Sequence, residues 1–435
     1  MKKIKVAFTT LGCRMNQFET SMIEEQFEKK GYQITDFKNT ADIYVINTCT
    51  VTNDADRTSR KTIRQAKRRN PKAVVVATGC YAQVSPEELA KIEEIDLVIG
   101  NSYKSAVLEL IEDYINQKRE EKIYIDNIFK ENELKTFQIS TFYEGARPIL
   151  KVQEGCNSFC TFCIIPYARG KVRSAKIQEI INQAQILVEK GYKEIVLTGT
   201  QLSQFGYDHK EGYLADLLLD LIKIKNLKRI RLSSMGINEI DNQLLDIITQ
   251  EEKIAPHFHL SLQSGDDQIL KDMKRGYTVK QYENIINTII KKRPDTAIGT
   301  DIITGFPTET KEAFQNTKKL LQNLPLAYIH VFTYSPRKNT KATKLNDKVS
   351  YTEKKARTKE LIELSEQKNF QFRKKFLNKE LKDVLIISQK NGQKIGLSGN
   401  YIHMYIQTKK DINQLINVKL QKIDKQKESN IAIEI

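Results

Sequence analysis

The placing of six cysteines constrains this chain more than any other feature. Cys13, Cys49 and Cys80 are dispersed, Cys156, Cys160 and Cys163 fall in one short run, and no cysteine follows in a chain of 435 residues. Where thiols stay reduced, such cysteines serve metals or catalysis rather than disulfides. A cytoplasmic address is the expectation. No apolar run approaches the ~20 residues that span a bilayer. The lysine-led N-terminus reaches Gly12-Cys13 before an apolar segment of ~7–15 residues with a cleavage site could form.

The length predicts two or three domains. Residues 1–120 alternate strand and helix signals. Val6–Thr10, Ile43–Asn47 and Ala73–Ala77 read as strands, with a helix from Gln17 to Lys30 presenting Phe18, Met22, Ile23 and Phe27. Such alternation predicts an α/β domain with a parallel sheet. Ligands gather beyond the carboxyl ends of strands in that architecture, and Cys13, Cys49 and Cys80 each follow such an end. A polar connector is expected from Glu121 to Tyr143.

A second array fills 141–370. Its expected strands are Ile149–Val152, Glu194–Thr198, Arg229–Ser233, His257–Leu262, Ala297–Ile303 and Tyr328–Thr333, with helices at Ile177–Lys190, Thr278–Lys291 and Glu309–Leu321. Six β/α units suggest a partial (β/α)6 barrel. A charged helix, about Thr352 to Phe376, leads into 371–435. There five short runs, Val384–Ile387, Lys394–Leu397, Tyr401–Gln407, Val418–Ile423 and Ile431–Ile435, predict a small β-barrel of a kind that grips nucleic acid.

The run Cys156-Asn157-Ser158-Phe159-Cys160-Thr161-Phe162-Cys163 follows directly on the first strand of that second array. Three thiolates around a four-iron cubane leave one iron open for a substrate. A zinc site would need a fourth ligand from elsewhere, and no histidine lies nearby in the sequence. A Cys-x-x-x-Cys-x-x-Cys loop in this setting resembles the radical S-adenosylmethionine superfamily. The flanks Thr10-Leu11-Gly12-Cys13-Arg14-Met15-Asn16-Gln17, Asn47-Thr48-Cys49-Thr50-Val51-Thr52 and Thr78-Gly79-Cys80-Tyr81-Ala82-Gln83 resemble those of the methylthiotransferases within it. The resemblance covers nearly the whole chain, through a C-terminal barrel of the TRAM type. The residues around Cys49, Cys80 and Cys163-Ile-Ile-Pro-Tyr-Ala-Arg-Gly170 look like the threonylcarbamoyladenosine branch, the MtaB type.

That resemblance implies two [4Fe–4S] clusters, one on Cys156, Cys160 and Cys163 and an auxiliary one on Cys13, Cys49 and Cys80. It implies two uses of S-adenosylmethionine: methylation of a cluster-bound sulfur, and cleavage to a deoxyadenosyl radical that takes hydrogen from adenine C-2. The implied substrate is N6-threonylcarbamoyladenosine 3′ of a tRNA anticodon, with an electron donor and a sulfur source as further partners and no membrane. Alternatives are methylthiolation of N6-isopentenyladenosine or of a ribosomal-protein aspartate, and, from another class, a non-catalytic iron–sulfur RNA-binding or sensor protein.

Around the barrel mouth Gly199, Gln201, Gln263 and Gly305 are cofactor candidates, since glycine lets a backbone approach a ligand and glutamine both donates and accepts. Ordinary βα-loop chemistry would also place such residues there. By the same resemblance, Gly236 stands where relatives usually carry glutamate, and Thr308 where glycine is more usual. The formal net charge of +16 favours a polyanionic partner. Arg57, Arg60, Lys61, Arg64, Lys67, Arg68 and Arg69 recur at helical spacing, with Asp54 and Asp56 as the local acids. Arg60, Arg64 and Lys67 are therefore RNA-binding candidates, as are Tyr401 and Tyr405, which share a strand face; a solvated helix face and a half-exposed strand are the plainer readings.

Overall fold

The computed structural model describes residues 3–118, 120–134, 145–425 and 430–435. Residues 135–143 of the expected connector, and the expected start of the second domain at 141, lie outside them. Two compact units emerge, and neither follows the chain in one piece. The first joins Met1–Thr141, Gln153–Ala175 and Ser335–Thr343; the second joins Phe142–Val152, Lys176–Tyr334 and Lys344–Ile435.

The first unit holds a six-stranded, all-parallel sheet in the order β2-β1-β3-β4-β5-β6. Its strands are β1 (Lys5–Thr10), β2 (Gln33–Thr35), β3 (Ile43–Thr48), β4 (Val74–Gly79), β5 (Leu97–Ile99) and β6 (Ile123–Tyr124). β3 is buried at every position, as a central strand covered on both faces must be. β1, β3 and β4 match the sequence expectation. The three-residue β2 and β5 were too short to show a period, and β6 lies within the expected polar connector.

In the second unit β7 (Ile149–Lys151) pairs with β10 (Glu194–Thr198) and β10 with β11 (Arg229–Leu232); β12 (His257–His259), β13 (Ala297–Thr304) and β14 (Tyr328–Thr333) form a second parallel trio. Between the numbered strands, β8 (Gln153–Glu154) and β9 (Arg173–Ser174) make a small antiparallel pair belonging to the first unit. Isolated bridges Ile230↔Ile254 and Met235↔Leu260 join the two trios, completing a six-stranded partial barrel. The fourth strand stops at His259 rather than Leu262, because Leu260 and Gln263 meet their neighbours only through single bridges.

The tail is a closed barrel of five strands, Glu380–Lys390, Gln393–Leu397, His403–Gln407, Leu415–Lys422 and Ile431–Glu434. Its core, with Val384, Ile386, Met404, Ile406, Val418 and Leu420, continues into Phe372, Phe376, Ala297 and Ala327. The buried Glu194 of β10 is gripped by Arg231 at 2.8 Å and Arg229 at 3.0 Å. Burial alone would push this carboxyl up, but the two guanidiniums override it and hold its pKa at about 2. Arg231 also donates to the carbonyls of Gly399 and Ser398, tying the tail to the base of β11.

Candidate metal centres

All six cysteines belong to the first unit. β1, β3 and β4 are adjacent and in register, with Thr10 opposite Asn47 and Thr48 opposite Gly79. Their carboxyl ends therefore lie side by side, and the chain reaches Cys13, Cys49 and Cys80 just beyond them. A Cβ on Gly12 would stand 2.9 Å from the Cys49 sulfur, so the turn into Cys13 lies directly against Cys49. Gly79 has φ +98°, and a side chain there would meet the Thr48 carbonyl at 2.5 Å; only glycine lets β3 and β4 deliver Cys49 and Cys80 so closely.

The three thiols share one electrostatic environment. Burial pushes the Cys49 thiol up to about 12, with Cys80 and Cys13 adding to the rise. Burial also raises Cys80, opposed by the positive charges of Arg169 and Lys104. Thiols raised in this way become thiolates when a metal compensates them, with release of their protons. Two buried polar atoms beside Cys80 and its strand, Thr78 Oγ1 and Asn101 Oδ1, have no hydrogen-bond partner among the described residues. The donor set therefore fits a three-thiolate iron–sulfur cluster.

Sequence reading missed the charged lattice beneath this edge. Arg169, 1% exposed, donates to Glu19 at 2.8 Å, to Glu154 at 2.6 Å and to Asn16 at 2.7 Å. Lys104 donates to Glu19 at 2.8 Å and Asn47 at 3.2 Å. Asn16 in turn donates to the carbonyls of Leu11 and Thr48, the backbone that leads into Cys13 and Cys49. A signal existed: Glu19 is an acid beside Phe18 and Met22 on the buried side of the Arg14–Lys29 helix.

The second trio lies on the loop after β8. Gly155 has φ +76°, and a Cβ there would fall 1.8 Å from the Lys171 carbonyl, so the loop's entry demands glycine. Cys156 N–H donates to the Gly170 carbonyl at 3.1 Å and Cys163 N–H to that of Cys160 at 3.0 Å. The Thr161 carbonyl accepts from Ala342 N–H at 2.8 Å. Cys160 is buried, while Cys156 and Cys163 are half-buried. A loop pinned at both ends, with its outer sulfurs half-buried, suits a cluster with one accessible iron. Arg169 closes the short helix Ile165–Arg169 that follows this loop.

In the second unit, Gly199 and Gln201 follow β10 and are half-buried. Gln263 carries φ +79°, unusual for a side-chain-bearing residue, and its N–H donates to the Asp301 carbonyl. Gly305 N–H donates to Glu309 at 2.7 Å. Next to Gly236, the glutamate that stands nearest is Glu239, which accepts from Ser203 and Gln204. Thr308 donates to Asp272 at 2.5 Å, which fixes the turn after β13.

The basic stripe is more compensated than the sequence implied. On the helix Asn53–Arg69, Arg60 donates to Tyr81 and Glu88, Lys67 to Asp96 and the Ala73 carbonyl, and Arg64 lies 3.8 Å from Glu94. Acids from neighbouring elements, not only Asp54 and Asp56, offset it. In the tail, Ile402, Met404 and Ile406 point inward, while Tyr401, His403 and Tyr405 are half-buried. Tyr401 precedes its strand and stacks on His257, with centroids 4.2 Å apart, beneath Arg231. Burial lowers His403 to about 4, so it is uncharged near neutrality.

Residues 5–100 match the family described as Uncharacterized protein family UPF0004, and residues 150–321 the Radical SAM superfamily. The threonylcarbamoyladenosine tRNA methylthiotransferase MtaB of Aquifex aeolicus is 53% identical over 416 residues, covering 95% of this chain and all of that protein. MtaB of Bacillus subtilis is 40% identical, covering 96% and 94%. The tRNA-2-methylthio-N(6)-dimethylallyladenosine synthase of Fusobacterium nucleatum is 34% identical, covering 96% and 97%. Among solved structures, the radical S-adenosylmethionine methyltransferase TsrM of Kitasatospora setae superposes with a TM-score of 0.58 over 77% of each chain at 14% identity, a likeness of fold.

Proposed function

This chain belongs to the radical S-adenosylmethionine methylthiotransferases of the MtaB type, and from that premise we propose that it converts N6-threonylcarbamoyladenosine 3′ of a tRNA anticodon to its 2-methylthio derivative. S-adenosylmethionine and a [4Fe–4S] cluster are the cofactors of this chemistry. Identity of 53% across an entire MtaB relative is the observation that carries the reading of the branch. We place the cofactor-cleaving cluster on Cys156, Cys160 and Cys163, and an auxiliary cluster on Cys13, Cys49 and Cys80. When bound, these groups supply one-electron cleavage of the cofactor and a sulfur for methylation and transfer. An electron donor and a sulfur source complete the reaction, in a cytoplasmic setting; among the described residues no helix is long and apolar enough to cross a membrane.

The chain's own residues bind, orient and enclose. Arg169 and Lys104 hold positive charge against the Cys13–Cys49–Cys80 edge, and through Asn16 the same lattice fixes two of the cysteine-bearing loops. Gly199, Gln201, Gln263 and Gly305 cap the strands where the cofactor would lie. Arg60, Arg64 and Lys67, with Tyr405, remain the candidates for RNA contact. Tyr401 has one ring face taken up by His257.

Gly236 gives the site a local test. A Cβ there would fall 2.1 Å from Gln201 Nε2, so Gly236→Ala must push that amide aside. Only the end of a flexible side chain moves, so stability should change by no more than ~1 kcal/mol. Loss of one hydrogen bond to the cofactor, about 0.5–1.5 kcal/mol, should weaken S-adenosylmethionine binding roughly 2- to 10-fold. Unchanged affinity in equilibrium dialysis would remove Gln201 from the cofactor site.

The substrate is tested by mass spectrometry of tRNA nucleosides from a deletion strain, with and without the restored gene. The expected result is loss of 2-methylthio-N6-threonylcarbamoyladenosine and accumulation of its precursor. Loss of the isopentenyl counterpart would move the chain to the other tRNA branch, and unchanged methylthio nucleosides would overturn a tRNA substrate.

A further inference from the structure

Neither cysteine trio accounts for a third cluster of ligand-bearing side chains, in the partial barrel. His259 ends β12, Asp301 lies within β13 and His330 within β14. Gly299 pairs with both His259 and Tyr328, and Asp301 with His330. Period-two alternation therefore puts His257, His259, Asp301, Tyr328 and His330 on one face of this trio of strands.

His259 Nε2 lies 2.9 Å from Asp301 Oδ1 and His330 Nδ1 lies 3.5 Å from the same oxygen. One ligand atom from each residue falls within 4.8 Å of the others. With metal–ligand bonds of about 2.1 Å, neighbouring ligand atoms stand ~3.0 Å apart in octahedral and ~3.4 Å apart in tetrahedral coordination. The two short separations correspond to that range. Outer partners are present as well. The far ring nitrogen of His259, Nδ1, lies 3.2 Å from the Tyr328 hydroxyl, and Asp301 Oδ2 accepts from Ser261 at 2.9 Å. With Nε2 on a metal, Nδ1–H would donate to Tyr328, which fixes tautomer and ring plane as the outer partners of ligating histidines do. The Tyr328 hydroxyl is held in turn by His257 at 2.9 Å.

We propose that His259, Asp301 and His330 form a binding site for one divalent cation of the zinc, iron(II) or manganese class. Two imidazoles and one carboxylate suit those ions. His259 is buried, whereas the His330 side chain is 51% exposed; the cation would enter from that side and keep coordination positions for water or an oxygen ligand. The site goes beyond the methylthiotransferase reading and does not depend on it.

Manganese(II) is the probe, since its hyperfine-split spectrum reports the free ion and [4Fe–4S]2+ clusters are silent in electron paramagnetic resonance. Titrating the anaerobic holoenzyme should remove about one equivalent of Mn2+ per chain from the free signal, and Zn2+ should release it. His330→Ala, at an exposed position that leaves the fold intact, and Asp301→Asn should abolish that binding with the cluster absorbance unchanged. Tyr328→Phe, which removes an outer partner, should weaken it roughly 10- to 100-fold. No Mn2+ or Zn2+ uptake by the wild-type protein would overturn the proposal. So would undiminished uptake by His330→Ala, which would put the ion elsewhere.

Discussion

Cys49→Ala is expected to separate the two halves of the chemistry: cofactor cleavage to deoxyadenosine persists while methylthiolated tRNA falls to background. On the proposed assignment the three thiols just past β1, β3 and β4 serve as one donor set, and two thiolates do not hold a cubane. Cys49 is buried beside Gly12, and a buried cysteine packs like a small hydrophobe. Alanine is therefore tolerated by the fold, and the deficit is one of ligation. Iron content should drop by roughly half, the share of one of two four-iron clusters. Cys160→Ala should give the complementary result, with neither deoxyadenosine nor product. Iron and deoxyadenosine are assayed together with the tRNA nucleosides in reduced, S-adenosylmethionine-containing reactions. Wild-type product from the Cys49 variant would remove the auxiliary cluster from the reaction.

The placing of these cysteines was legible in the sequence because a position at a sheet edge needs only two local signals, a strand and a residue just past its end. Cys13, Cys49 and Cys80 supply both, and parallel pairing does the rest. The strands of the partial barrel were legible for a related reason: short runs with apolar residues recur with helical stretches between most of them, and one of those helices, Val279–Lys292, has a clear start where Thr278 and Gln281 form a capping box. What stayed hidden depends on pairing between distant residues. Arg169 stood in the sequence as one member of a flanking motif, and nothing local reveals that its partners are Glu19 and Glu154. Likewise Arg337 is held by Asp56 and Thr50, from the far end of the chain. His259, Asp301 and His330 sit in three separate strands and acquire meaning only once β12, β13 and β14 are in register. The basic helix shows the reverse error: its acids, Glu88, Glu94 and Asp96, come from other elements, so local counting overstated its free charge.

The Arg169 lattice leads to the largest expected loss of stability. Arg169→Met keeps the aliphatic bulk but leaves the buried carboxylates of Glu19 and Glu154 short of their main partner, with Lys104 and Arg173 remaining. Removing one partner from a buried ion pair costs about 3–5 kcal/mol, because the other charge stays desolvated. Asn16 also loses the donor that orients it, and with it the carbonyls of Leu11 and Thr48 lose their fixed positions beside Cys13 and Cys49. The variant should therefore unfold at markedly lower urea and lose iron faster than wild type. Arg169→Lys should recover only part of this, since an ammonium cannot reproduce a planar fork that reaches two carboxylates and an amide. Adding Glu19→Gln to Arg169→Met should restore stability relative to Arg169→Met alone, because it neutralises one stranded charge; in a double-mutant cycle the two changes would then be strongly non-additive. Urea denaturation of anaerobic protein followed by circular dichroism supplies all four corners of that cycle. If Arg169→Met stays within ~1 kcal/mol of wild type, less than removal of a buried ionic partner costs, the lattice is not what holds the cysteine-bearing edge together.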